Sequence, residues 1–304
     1  MERKNRKKIF FLILKFLVSG IFLFVVFKKA GVYEILSYLT SIKPGYFVFS
    51  VLIYIIATYI SAIRWKMLLD EDYPVGKLFS LYMIGGFFNN VMPGLIGGDA
   101  VKVYYLYSDT KKGGSSLGSV FIDRYVGFFA MLIIGLIAGL IAFRDLREIG
   151  MHMAMPLLFV TFILGSLAVF SVRIGRRFAA VSDFYEYFHY FIKKKTIMFK
   201  AFSLSVVIQL MAFTMVYLIA VGLGQSPSFG TIAVFMPIIL AVSTIPVSIS
   251  GFGVREGAFV VLFGLVGMSP EVAASISFLW YLSIAATSPI GLIEFLRYRK
   301  KSSG

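Results

Sequence analysis

Apolar residues run almost unbroken for about twenty positions at a time in six places, 9–27, 45–63, 117–143, 153–172, 199–221 and 272–296. That length matches the roughly 20 residues an α-helix needs to cross a hydrocarbon core of about 30 Å. None of the six alternates apolar with polar residues as a barrel strand would, so each predicts a transmembrane helix. Two further apolar stretches behave differently. Residues 78–108 are interrupted by Gly85-Gly86, Asn89-Asn90, Pro93-Gly94 and Gly97-Gly98-Asp99, and residues 229–267 by Pro246, Ser248, Ser250-Gly251, Gly253 and Arg255-Glu256. Each is too long for one ordinary span and breaks near its middle. The expected fold class is an all-α polytopic membrane protein with about six full spans plus two broken re-entrant hairpins. If each hairpin crosses fully, there are eight or more spans.

The two breaks carry a second pattern. Pro93 and Pro246 stand 153 residues apart, about half the chain. Shifting the first half by that distance lays span 9–27 on 153–172, 45–63 on 199–221, hairpin 78–108 on 229–267, and 117–143 on 272–296. This predicts a single membrane domain, 1–304, built as an inverted-topology repeat of 1–150 and 151–304. Paired Gly/Pro-broken segments in corresponding halves point to a transport site.

Composition sharpens the setting. Of the 304 residues 59% are hydrophobic and only 15% charged, against about a quarter charged in soluble domains. Twenty-one Lys and Arg fall in segments 1–8, 64–77, 109–116, 173–200 and 297–304, and five in the opposite loops. That asymmetry predicts a multi-pass protein of the cytoplasmic (inner) membrane with both termini in the cytoplasm. Lys28, Lys29 and Lys43, in the expected outer loop 28–44, run against it. The basic stretch Arg3 to Lys8 ahead of the first span also opens secretory signals, but no A-x-A cleavage pattern follows, so an uncleaved span is expected. The net charge of +15 sits in short clusters beside the spans, which suits anionic lipid and argues against nucleic acid. With no cysteine and two distant histidines, His152 and His189, neither a disulfide framework nor a metal site is expected, and no cofactor is called for.

Candidate chemistry gathers at the breaks. Proline and glycine free backbone groups that lipid cannot satisfy, so Asn89, Asn90, Pro93, Gly97 and Gly98 should face protein or a water-filled cavity. A helix starting near Gly98-Asp99 would turn its positive end toward an anionic group, with Asp99 either lining that site or capping the helix. Lys102, three residues on, shares the face of Asp99. The second break repeats the order with Pro246, Ser250, Gly251, Gly253, Arg255 and Glu256, and Asp123-Arg124 lies early in span 117–143. Ionisable residues at membrane depth are costly and usually paired, so these six charged groups either handle substrate or clamp the bundle. Arg64-Trp65 reads as a snorkelling and aromatic-belt anchor, Gln209 as interhelical glue. Phe178, Val181, Phe184, Tyr185, Phe188 and Phe191 predict an amphipathic helix on the anionic leaflet.

Arg64-Trp65, Asn90-Val91-Met92-Pro93 with Gly97-Gly98-Asp99, Asp123-Arg124, and Pro246 with Gly251-Phe252-Gly253-Val254-Arg255-Glu256 resemble the lysylphosphatidylglycerol synthase transmembrane region, a flippase-like integral membrane family. The resemblance covers nearly the whole chain. It implies a domain that moves a lipid between leaflets, found in some proteins fused to an aminoacyl-lipid synthase. No such catalytic domain is expected in this chain. Lys102 stands where the family pattern often has Arg, and an ammonium lacks the bidentate fork that suits phosphate. The expected function is therefore a transporter of a lipid or lipid-linked anionic head group, not an enzyme. The alternatives are a membrane-embedded enzyme using Asp99, Asp123 and Glu256, or a non-transporting partner of a lipid-synthesis complex. Expected partners are anionic membrane lipids, with a homo-oligomer or a lipid-synthesis protein as further options.

Overall fold

The computed structural model describes residues 2–91, 97–172, 179–245, 248 and 250–302. Pro93 and Pro246 lie outside these. Every regular element among the described residues is helical, as the continuous apolar runs require. Among the described residues four helical stretches are long and apolar enough to cross a membrane: α3 (Pro44–Met67), α6 (Gly113–Ile141), α10 (Lys195–Gly222), and α13 (Pro270–Ala285) continued by α14 (Ser288–Ser302). Pro44 opens α3 at a position where a missing N–H costs nothing.

α1 (Glu2–Ala30) and α2 (Val32–Ser41) are where the expected loop 28–44 fails. Gly31, at φ +71°, turns the chain by 80°, and α2 follows at once. Its buried Ile35 faces α13, where Ser275 meets the Ile35 carbonyl, so Lys28, Lys29 and Lys43 flank a docked helix rather than sit in a loop. α7 (Phe143–Glu148) and α8 (Ala154–Val172) complete the first half and open the second. α9 (Ala179–Lys193) is the helix expected from aromatic spacing; Phe178 lies outside the described residues, and Tyr185, Tyr187, Phe188 and Phe191 are buried against protein rather than turned to lipid. Phe188 stacks on Phe170 at 3.8 Å between ring centres, and the Tyr187 hydroxyl donates to the Leu68 carbonyl at 2.6 Å.

Both broken stretches form helix pairs, α4 (Val75–Val91) with α5 (Gly97–Thr110), and α11 (Phe229–Thr244) with α12 (Val254–Gly264). At 1.5 Å per residue α4 is about 25 Å long and α5 about 21 Å, each short of a full crossing. In each pair the helices pack on one another.

Helices in lipid gain little by hiding apolar surface from other apolar surface, so close packing holds them together. Leu17, Phe24, Leu157, Leu164 and Ile141 accordingly stay exposed, while the interior is made by steric fit. α3 and α10 form the central pair. The largest core joins α10, α11, α12 and α13 through Phe213, Phe235, Phe259 and Trp280, and a smaller one gathers Trp65, Leu78, Leu81 and Leu106 beside α4. Glycine permits one very close crossing: a Cβ on Gly291 of α14 would collide with the Met83 carbonyl of α4.

Candidate functional site

The first hairpin is closed by backbone contact. A Cβ on Gly98 would run into the Gly85 carbonyl, so α4 and α5 touch main chain to main chain because Gly98 carries no side chain, and Gly85 opposite it eases the approach. The freed N–H of Gly98 donates to Asn89 Oδ1 at 2.8 Å. Asn89 thus closes the end of α5, a role open to Asp99 in the sequence, and Asp99 remains available in the first turn.

From there Asp99 holds two cations. Lys102 Nζ lies 2.8 Å from Asp99 Oδ1 across one helical turn. From α6, Arg124 forks onto the same carboxylate, with Nε 3.0 Å from Oδ2 and Nη2 3.0 Å from Oδ1. Lys102 is 2% exposed, under the rings of Tyr82 (4.2 Å) and Trp65 (5.4 Å), whereas the Arg124 side chain keeps 54% of its surface open.

Asp123 points elsewhere. Consecutive helical residues do not share a face, and its carboxylate turns inward to Arg64 of α3, with Nε 2.8 Å from Oδ1. Arg64 Nη1 donates to Ser205 of α10 at 2.7 Å, and the Tyr82 hydroxyl donates to the second Asp123 oxygen. Arg64 is 5% exposed and Trp65 fully buried, its indole N–H donating to Ser119 at 3.1 Å. The anchor expected at Arg64-Trp65 is therefore wrong: α3 continues past them against α6 and α10, so they join the interior. Arg64 and Tyr82 are the site residues that single-sequence reasoning missed; Arg64 carried a signal in the resemblance motif Arg64-Trp65, and Tyr82 carried none.

A cavity of about 730 Å³ ends on this cluster. Its floor is Arg64, Tyr82, Asp123 and Arg124; its walls are apolar, with Phe121, Tyr125 and Phe128 from α6 and Phe162, Gly165 and Phe170 from α8. Ile208 and Gln209 of α10 and Leu240 and Thr244 of α11 complete it. Gln209 donates to the Gly127 carbonyl at 3.0 Å, so it also ties α10 to α6. A smaller cavity of about 180 Å³ lies beyond, with Ser61, Tyr82, Arg124 and Ile208 common to both.

The second hairpin holds a separate cluster. Arg255 Nε is 3.0 Å from Glu256 Oε1 and 3.2 Å from Ser277, and Glu256 accepts the Gly253 N–H at 2.7 Å, closing the start of α12. The Arg255 guanidinium lies over Tyr281 at 4.7 Å and Phe252 at 5.4 Å. Gly251 and Gly253 have φ +79° and +83°, and Ser250 also adopts the left-handed region at +51°. Among this hairpin's described residues only Leu240 and Thr244 reach the larger cavity; Arg255 and Glu256 line neither cavity. Asn90 lies apart too, its amide donating to Ser288 of α14 at 2.8 Å. The structure thus gathers Asn89, Gly98, Asp99, Lys102, Asp123 and Arg124 with Gly97 beside them, and leaves Asn90 and the second hairpin's charges outside.

The family model described as lysylphosphatidylglycerol synthase TM region matches residues 12–287. The chain is similar to a UPF0104 membrane protein of Methanothermobacter thermautotrophicus, 22% identical over an alignment of 339 positions, gaps included, that takes in 98% of this chain and 95% of that protein. A second UPF0104 membrane protein of the same organism is 24% identical, covering 80% and 82%. One from Methanocaldococcus jannaschii is 26% identical over 129 residues, covering 39% and 38%.

Proposed function

The chain belongs to the lysylphosphatidylglycerol synthase TM region family, and from its cavity and buried charges we propose a flippase-like transporter that moves a lipid or lipid-linked anionic head group between leaflets. One observation carries this reading: an apolar, aromatic-walled cavity of about 730 Å³ ends on Arg124 and the charges beneath it. A lipid has the same two-part chemistry, a chain that needs apolar walls and a head that needs charge. Arg124 is the exposed member of the cluster and receives the head group; Asp99 is its counter-charge when the site is empty.

Internal repetition supports transport. Advancing by 153 residues carries α2 onto α9, α3 onto α10, α4 onto α11, α5 onto α12, and α6 onto α13 with α14. Packing follows the same exchange. α4 lies on α14 as α11 lies on α6, α9 packs on α6 as α2 packs on α13, and α5 meets α6 as α12 meets α13. Halves related in this way, inserted in opposite senses with both termini cytoplasmic, can alternate which leaflet the cavity faces.

The chain has no cysteine, so Gly165→Cys gives one addressable thiol on the cavity wall, where an added Cβ meets nothing within 4 Å. In proteoliposomes reporting leaflet exchange of a fluorescent anionic lipid, a bulky maleimide on that thiol should stop exchange, and the unlabelled variant should run like the parent. Exchange that continues after complete labelling overturns the proposal.

A further inference from the structure

The charges beside the first hairpin do not balance. Arg64, Lys102 and Arg124 supply three positive charges, Asp99 and Asp123 two negative ones. Asp123 is committed to Arg64, so the single carboxylate of Asp99 faces both Lys102 and Arg124. Arg255 and Glu256 neutralise each other elsewhere. Among the described residues no other carboxylate lies within ion-pair distance of these three cations. Lys102 is the under-served member: its Nζ is buried, and although 2.8 Å from Asp99 it makes no aligned hydrogen bond there or elsewhere. One excess positive charge at membrane depth is expensive, and an anion beside it removes the cost.

The space for that anion is the 180 Å³ cavity, whose lining includes Tyr54, Thr58, Asn89, Lys102 and Arg124. It is smaller than the roughly 300–1,000 Å³ of pockets that enclose a whole small molecule. It therefore admits a phosphate group and leaves larger substituents in the adjoining cavity.

Resting on the transporter reading, we infer that the substrate is a net monoanionic phospholipid whose phosphodiester sits between Lys102 and Arg124. Its acyl portion occupies the aromatic-walled cavity. A zwitterionic lipid brings its own cation and leaves the excess charge uncompensated; a dianionic head overcompensates it.

Trp65, 5.4 Å from Lys102, is a built-in reporter, and the chain has only one other tryptophan. In a Trp280→Phe background in detergent micelles, Trp65 fluorescence is titrated with short-chain phosphatidylglycerol, phosphatidylcholine, phosphatidic acid and inorganic phosphate. Phosphatidylglycerol should saturate the signal, with each of the others roughly tenfold weaker or more. Lys102→Gln should erase the preference for phosphatidylglycerol, and Lys102→Arg should keep it. The inference falls if phosphatidylcholine or phosphatidic acid matches phosphatidylglycerol, if Lys102→Gln binds like the parent, or if Lys102→Arg loses the preference. Inorganic phosphate binding as tightly as phosphatidylglycerol makes this a soluble-anion site and also sinks it. The leaflet-exchange assay separates the two claims. If lipids of every charge move and labelled Gly165→Cys blocks them, transport stands and the monoanion is wrong. If no lipid binds or moves, the transporter reading itself fails.

Discussion

Arg64 and Asp123 form a buried pair whose removal can be read quantitatively. Arg64→Ala deletes hydrogen bonds of 2.8 Å to Asp123 and 2.7 Å to Ser205, and leaves a carboxylate that is 1% exposed with the Tyr82 hydroxyl as its remaining partner. Stranding one half of a buried ion pair costs about 3–5 kcal/mol. Against a total stability on the order of 5–15 kcal/mol, that is a large share. Asp123→Ala should cost a similar amount, because it strands the guanidinium instead. The double variant removes both charges and strands neither, so its cost should fall about 2 kcal/mol or more below the sum of the singles. The cavity left by the missing Arg64 side chain is common to the single and double variants and cancels in the cycle. The assay is unfolding of all four proteins in mixed micelles, followed by circular dichroism. Costs that add to within about 0.5 kcal/mol would refute the buried pairing. Arg64→Lys is an internal control: an ammonium cannot serve Asp123 and Ser205 with a planar fork, so it should fall between parent and alanine.

Gly98→Ala forces a Cβ onto the Gly85 carbonyl and should destabilise the hairpin by about 1–3 kcal/mol. Gly85→Ala, whose Cβ would stand 3.0 Å from the Gly98 oxygen and 3.3 Å from the movable Lys102 Cγ, should cost less; the reverse order in thermal unfolding would contradict the packing. At the far end of α5, burial works against the Asp109 carboxylate, but hydrogen bonds from Tyr298 and Tyr73 and the Lys77 ammonium outweigh it and hold the carboxyl below its ordinary range. Folding therefore gains from the ionised form above the unfolded carboxylate pKa, near about 3.9, and loses that gain as the pH falls through the lower folded value. The midpoint difference between the parent and Asp109→Asn should accordingly shrink on acidification through that window; a difference that grows would show the opposite linkage.

The membrane setting and the two broken stretches were legible in the sequence because both are local properties. A run of apolar residues meets lipid whatever its neighbours are, and proline and glycine interrupt a helix wherever they occur. Asp99 and Lys102 could be put on one face for the same reason, one turn apart on one helix. Partners across helices were another matter. Asp123 and Arg124 are adjacent in the chain yet turn to different partners, Asp123 to Arg64 and Arg124 to Asp99. Arg64 looked like a membrane-edge anchor because nothing within α3 tells it from one, and only the approach of α6 and α10 makes it a buried ion. The charges of the second hairpin resemble those of the first in order, yet they close on Ser277 and the rings of Phe252 and Tyr281 instead of the cavity. Spacing along one helix fixes which side chains share a face. Which faces meet, and so which charge is left without a partner, is decided by the packing of helices far apart in the chain.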